Sequence, residues 1–246
     1  LKRDNATIRV GTSGWHYGHW AGTFYPESLP KKAWLDHYAS HFDTVELNNT
    51  FYHLPRETTV ANWATQSPKG FLFAVKASRY ITHIKRLKDT GDALQLLHER
   101  VTPLKRKLGP ILFQLPPSMR KDLALLEDFA GGLPASVLNV FEFRHKSWFS
   151  DDLFELMERL GLAFCVHDWA TVHTPRVRTG DIVYIRFHGP TGRYGGCYSD
   201  EDLAGWAEWI SGQVRTTRGV FVYFNNDAQG FALRNAATLL RMLGTE

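Results

Sequence analysis

The residues of this chain with most chemistry to offer are ionisable groups set inside β-like runs. Glu46 lies in Thr44–Asn48, Glu142 and Arg144 in Leu138–Arg144, and Arg186 with His188 in Ile182–His188. Alternate side chains of a strand face opposite sides. Val45 and Leu47 therefore oppose Thr44, Glu46 and Asn48, while Phe141 and Phe143 oppose Val140, Glu142 and Arg144. Val183, Ile185 and Phe187 oppose Tyr184, Arg186 and His188. Lys76 opposes Phe71, Phe73 and Val75, and Gln114 opposes Ile111, Phe113 and Leu115. Burying charge is costly unless it is paired, so these polar faces need a shared destination.

Two carboxylates in unlike surroundings can serve as acid and base. Glu46 and Glu142 are the candidate catalytic pair, with His188 as a second acid/base candidate because its intrinsic pKa suits proton transfer. Arg144 beside Glu142 should keep that carboxyl ionised. The bland readings stand beside these: Glu142 and Arg144 simply pair, and a His in a His-Gly turn simply hydrogen-bonds. Lys76, Arg144 and Arg186 outnumber the two glutamates, and that excess suits an anion, with Arg fitted to forked recognition of phosphate or carboxylate. Asn48, Gln114, Trp15, Tyr52 and Asn226 complete the expected substrate-binding set.

Trp15, Tyr17, Trp20, Phe24 and Tyr25 crowd one loop, and Phe51, Tyr52 and Trp148 follow two of the strands. Such rings either stack on a sugar or base or form the packed underside of loops. Asn225, Asn226 and Asp227 either bind a ligand or cap the next helix. Gly192, Arg193, Gly195 and Gly196 in the loop 189–198 either cradle phosphate or make an ordinary turn. Glu46, Glu142, His167, Asp168, His188 and Asp227 offer metal donors. Three cations on the same faces oppose a divalent ion, and no HxxxH or HxH pair occurs, so no metal and no cofactor are expected.

The elements that must position these groups alternate. Eight strand-like runs, Thr7–Thr12, Thr44–Asn48, Phe71–Lys76, Ile111–Leu115, Leu138–Arg144, Ala163–His167, Ile182–His188 and Val220–Phe224, are separated by helical patterns. Helices are predicted over Pro30–Phe42, Asp92–Leu108 and Asp151–Leu160, the last capped by Ser150 and stopped by Gly161. Ser199 and Asp202 form a capping box ahead of Leu203, Trp206 and Ile210, and Ala232, Ala236, Leu239, Leu240 and Leu243 mark a final helix. Between Asp168 and Asp181 a helix has little room, so the sixth crossover should be irregular. The pattern predicts one α/β domain over residues 1–246, a single (β/α)8 TIM barrel, with an open doubly wound sheet as the alternative. Helices cover the outside of such a barrel, so the polar faces must point inward, late in each strand, where barrels place their chemistry.

In this order the motifs Gly11-Thr12-Ser13-Gly14-Trp15, Val45-Glu46-Leu47-Asn48-Asn49-Thr50-Phe51-Tyr52, Gln114-Leu115-Pro116, Glu142-Phe143-Arg144-His145-Lys146-Ser147-Trp148, Arg186-Phe187-His188-Gly189 and Tyr223-Phe224-Asn225-Asn226 resemble the YecE-like family, the domain of unknown function seventy-two. The likeness runs from about Arg9 to Leu243 and implies a TIM barrel. It implies no established reaction.

The formal charge of +4 and pI near 9.0 suit an anionic partner. Short basic runs such as Lys85-Arg86-Leu87-Lys88 read as solvated faces. Two cysteines, Cys165 and Cys197, make neither a zinc motif nor a disulfide framework. With no apolar stretch of membrane-spanning length and no signal-like run at Leu1–Asn5, a cytoplasmic protein without a membrane partner is expected. Three functions are open. The first is an enzyme using hydrolase-like acid/base chemistry on a small phosphate- or carboxylate-bearing substrate, with lyase or isomerase chemistry also possible. The second is a metal-dependent phosphodiesterase acting on nucleic acid. The third is a non-catalytic nucleic-acid or nucleotide binder.

Overall fold

The computed structural model of the chain describes residues 6–169, 172, 174–191 and 194–244. Its order is β1 (Thr7–Thr12), α1 (Trp34–Ala39), β2 (Thr44–Leu47), α2 (Glu57–Gln66), β3 (Leu72–Lys76), α3 (Gly91–Val101), β4 (Leu108–Gln114) and α4 (Leu123–Gly131). It continues through β5 (Asn139–Glu142), α5 (Asp151–Arg159), β6 (Ala163–His167), β7 (Ile182–Phe187), α6 (Asp200–Gln213), β8 (Gly219–Phe224) and α7 (Phe231–Leu243). All strand pairs are parallel, in the order β1-β8-β7-β6-β5-β4-β3-β2. A sheet in which chain neighbours lie side by side all the way round, with helices between, is a (β/α)8 barrel. The open-sheet alternative is set aside.

Two apolar layers follow from the alternation. Phe73, Val75, Ile111, Phe113, Phe141, Phe143, Val183 and Ile185 face outward into the main core, where Leu97, Leu126, Leu153, Met157, Leu203 and Leu239 of the helices cover them. Ala74, Leu112, Val140, Cys165, Tyr184 and Tyr223 form a second, separate cluster that fills the lumen. No helix occurs among the described residues between β6 and β7, as the short crossover predicts.

Several boundaries moved for physical reasons. The helix expected over Asp92–Leu108 ends at Val101 and continues as a 3-10 turn over Thr102–Lys107, since Pro103 lacks the N–H that an α-helix interior uses. The helix expected over Pro30–Phe42 is a 3-10 turn over Lys31–Ala33 followed by α1. Strand β4 begins at Leu108 rather than Ile111, and takes in Gly109 and Pro110 where the register with β3 shifts between Phe73 and Val75. A bulge is where a strand tolerates Gly and Pro. Ser150 occupies the cap position of α5, but its hydroxyl bonds the Asp152 carboxylate instead of a backbone N–H. The Ser199–Asp202 capping box forms in both directions. Helices α2 and α4 had no counterpart in the sequence reading.

The barrel closes between β1 and β2 through a single parallel bridge, Ser13 to Glu46. Gly11 makes that approach possible: a Cβ there would stand 2.3 Å from the Thr44 carbonyl oxygen. Gly11→Ala should push the seam apart and cost about 1–3 kcal/mol, the usual range for overpacking. Urea unfolding of the two proteins measures it; equal midpoints would mean that the seam has slack.

Candidate functional site: a buried ion cluster beneath the barrel mouth

Strand β7 sends Arg186 across the lumen, and its guanidinium joins two strands that do not touch each other. Nε donates to Glu46 Oε2 at 3.0 Å and Nη2 to Glu46 Oε1 at 2.8 Å, while Nη1 donates to Glu142 Oε2 at 2.6 Å. All three side chains are wholly buried. Glu46 also accepts from Ser13 Oγ at 2.8 Å and from the Tyr184 hydroxyl at 2.7 Å. Glu142 pairs through its other oxygen with Arg144.

The network sets the protonation states. Burial alone would raise the Glu142 carboxyl, but the Arg144 and Arg186 guanidinium groups overcome it and hold it well below the usual carboxylate range. Burial and the Glu46 carboxylate keep the Tyr184 phenol protonated as a donor. His188 Nε2 receives Arg144 Nη2 at 2.8 Å and Arg186 Nη1 at 3.1 Å, so it accepts and Nδ1 carries the proton. Burial, then those two cations, drive its pKa well below the ordinary value. Protonating His188, as the expected acid/base role requires, would set a third positive charge against two guanidinium groups. Its Nδ1 is buried with no hydrogen-bond partner, 3.7 Å from Asp168 Oδ1. His167 Nε2 donates to the Phe143 carbonyl at 2.9 Å, and burial first pushes its pKa down to about 4.

The sequence-derived set thus meets in one place but at two depths. Glu46, Glu142, Arg186 and His188 are fully buried, below the reach of a ligand at the surface of the mouth. Arg144 lies nearer the opening, with its guanidinium 4.3 Å from the Trp169 ring and Trp169 in turn edge-on to His188. Among the described residues nothing takes a hydrogen bond from Arg144 Nη1. Lys76, at the end of β3, is 6% exposed, and its Nζ sits 4.2 Å over the Phe51 ring. No ion pair or hydrogen bond from Nζ exists among the described residues, because Glu46 and Glu142 are taken by the arginines. Burial, then Arg186, lowers the Lys76 ammonium to about 7. Among these residues two arginines face two glutamates and Lys76 is left over, the same excess of one that the sequence counts. Gln114 is half-buried at the end of β4, beside Glu142.

The outlying candidates divide. Trp15 is buried edge-on against Trp63 at 5.3 Å and Phe73 at 6.4 Å. Together with Tyr17, Asn48 and Asn49 it also lines a cavity of about 450 Å³ over the β1–β2 seam. Asn48 Oδ1 is buried without a partner. Tyr52 stands 64% exposed on the rim. Asn226 ties loop to helix, donating to the Gly196 carbonyl and Asn235 Oδ1, both at 2.9 Å. It is fully buried, so it faces no ligand at the surface. Trp20 and Tyr25 are packed loop underside, Trp20 donating to Asp227 Oδ1 at 2.7 Å and Tyr25 stacking on Trp34 at 4.5 Å. Gly189, at φ +98°, lets the loop after β7 fold back, since a Cβ would meet Gly195 O at 2.2 Å. Gly192 and Arg193 of that loop, and Leu1–Asn5, lie outside the described residues.

Sequence reasoning passed over Ser13, Tyr184 and Trp169. Tyr184 shares the parity of Arg186, and Ser13 continues that of β1 by one step, so both were findable. Trp169 sits in the irregular crossover and carried no signal. No group of three or more His, Cys, Asp or Glu side chains among the described residues is arranged to hold a metal ion. No helix among the described residues is long and apolar enough to cross a membrane.

A (β/α)8 barrel with an ion cluster at the carboxyl ends of its strands defines the class of this protein. The family model described as Protein of unknown function DUF72 matches residues 9–246, and the chain belongs to that family. The UPF0759 protein YunF of Bacillus subtilis is 27% identical, over 97% of this chain and 95% of YunF. The crystal structure of a DUF72 family protein from Thermotoga maritima matches with a TM-score of 0.89 and 30% identity, covering 97% of this chain and 99% of that one. One from Enterococcus faecalis gives 0.84 at 22% identity, covering 98% and 96% respectively, and so speaks for the fold alone.

Two measurements probe the cluster. Arg186→Met leaves two buried carboxylates without their shared partner and should cost about 3–5 kcal/mol in urea unfolding. Acid should also weaken the fold in two stages. His167 stays neutral in the folded protein, so stability is intact above its ordinary value of 6.5 and falls as pH drops towards about 4. Glu142 contributes stability above its ordinary 4.5 that is lost below it. Unfolding of the wild type and His167→Gln at about pH 7.5 and 5.5 tests the first stage: the variant should lose less, and equal losses would contradict it.

Proposed function

We propose that the protein is an enzyme acting on a small carboxylate- or phosphate-bearing substrate at the barrel mouth. The observation that carries this reading is the Nη1 edge of Arg144, which has no hydrogen-bond partner among the described residues, beneath the opening. Its other donors are fixed by Glu142 and His188, and Trp169 lies against its face. A guanidinium so oriented offers a preformed seat for one anionic group, and Lys76 adds a second cation beside it. The cavity over the β1–β2 seam, with the unpartnered Asn48 oxygen, suits an uncharged ring or hydroxyl-bearing part of the same molecule.

Glu46 and Glu142 then act as positioning residues, with Arg186 between them, rather than as the reacting acid and base. Proton transfer falls to groups nearer the mouth. Lys76 titrates close to neutrality. Burial raises the half-buried Asp168 carboxyl, which accepts from the His188 backbone N–H at 2.8 Å and from the Tyr198 hydroxyl. Groups tuned in this way serve hydrolases, lyases and isomerases alike. A metal-dependent phosphodiesterase would have to free Glu46 or Glu142 from its guanidinium partners before either could bind an ion.

Phosphate and small carboxylates should raise the melting temperature by mass action, and Arg144→Met should abolish the shift without unfolding the protein. A thermal shift identical in wild type and variant would place the anion elsewhere. Tight binding of oligonucleotides that weakens steeply with salt would favour a nucleic-acid partner instead.

A further inference from the structure

Among the described residues, Lys76 is the one buried cation of the cluster that the network does not use. Its Nζ has neither a carboxylate nor a hydrogen-bond acceptor among the described residues, and the Phe51 ring is its nearest neighbour of note. With Lys76 only 6% exposed, its ammonium has lost most of its water; a π-face returns about 2 kcal/mol, against several kcal/mol for taking an ion out of water. Leu or Met at the end of β3 would fill the same space without that cost. A lysine kept under these conditions is explained by use of its amine.

We propose that Lys76 is a nucleophile that condenses with a substrate carbonyl, so that the substrate class is an oxo acid or an oxo-phosphate. The inference rests on the anion seat at Arg144 and adds a carbonyl to it. The neutral Nζ attacks the carbonyl carbon to give a carbinolamine. Loss of the oxygen as water, with its proton taken from a mouth acid, leaves a protonated imine. That cation draws electrons from the adjacent carbon, which a lyase or isomerase exploits, and hydrolysis returns carbonyl and amine.

The surroundings support the neutral amine. Arg144 and Arg186 stay charged, Glu46 and Glu142 are already paired, and His83, whose pKa is also lowered in part by Lys76, is pushed down to about 4 and carries no charge near neutrality. Burial, named above as the leading cause, together with those guanidinium groups brings Lys76 to about 7. A surface lysine is almost wholly protonated there.

The test is imine trapping on the intact chain. Protein is incubated with pyruvate and cyanoborohydride, which delivers hydride to the imine and fixes the adduct as a secondary amine. Peptide mapping by mass spectrometry then locates it. At neutral pH Lys76 should be labelled roughly 10-fold or more faster than any other lysine, given the ordinary lysine pKa near 10.4. Acetone, which lacks the carboxylate, should label it more slowly, and phosphate should protect it. Lys76→Arg should lose the adduct while keeping the phosphate-induced thermal shift. Labelling spread over surface lysines, with Lys76 no faster than the rest, would overturn the nucleophile. If the phosphate shift persisted in that case, the anion seat would stand; if it were also absent, both readings would fall.

Discussion

A single guanidinium holds the centre of this molecule together. Arg186 is fully buried, and it satisfies two buried carboxylates that approach it from strands on different sides of the lumen. Each ion alone would cost several kcal/mol to dehydrate. Together, with Ser13, Tyr184 and Arg144 taking up remaining lone pairs, they form a closed set of charge-assisted hydrogen bonds. Because the donors of Arg are fixed in a planar fork, the geometry of β2, β5 and β7 is fixed with it. Lysine could supply the charge but not that planar fork.

This explains why the interior reads so differently from the rim. Below, every charge has a countercharge, and the protonation states are locked: Glu142 ionised, His188 and His167 neutral. Above, among the described residues, Arg144 presents an unused edge and Lys76 stands unmatched. The lower layer is a closed set of ion pairs on which the residues nearer the mouth rest. Barrel enzymes depend on such support, because a reacting group displaced by a fraction of an ångström loses much of its advantage.

Much of this was legible in the chain. Strict alternation sent Glu46, Glu142, Arg144 and Arg186 inward, and eight strand-like runs alternating with helical patterns pointed to a closed sheet wrapped by helices. Alternation assigns a side, however, and not a depth or a partner. It could not tell that Arg186 reaches two strands at once, nor that His188 would be wedged between two arginines and lose its ordinary titration. Trp15 shows the same gap: this loop aromatic packs edge-on against Trp63 and Phe73 and also lines the cavity over the β1–β2 seam, a division that alternation cannot give. Trp169 stayed invisible because the crossover that carries it has no periodicity to read.

The β1–β2 junction has a consequence of its own. Strands β1 and β2 are successive in the chain, yet they meet through one bridge, and the same two residues, Ser13 and Glu46, share a side-chain hydrogen bond inside the ion cluster. The closure of the cylinder and one bond of its ion cluster thus share the same two residues. Whatever parts β1 from β2 therefore also strips Glu46 of one donor, so the seam and the buried charge balance loosen together.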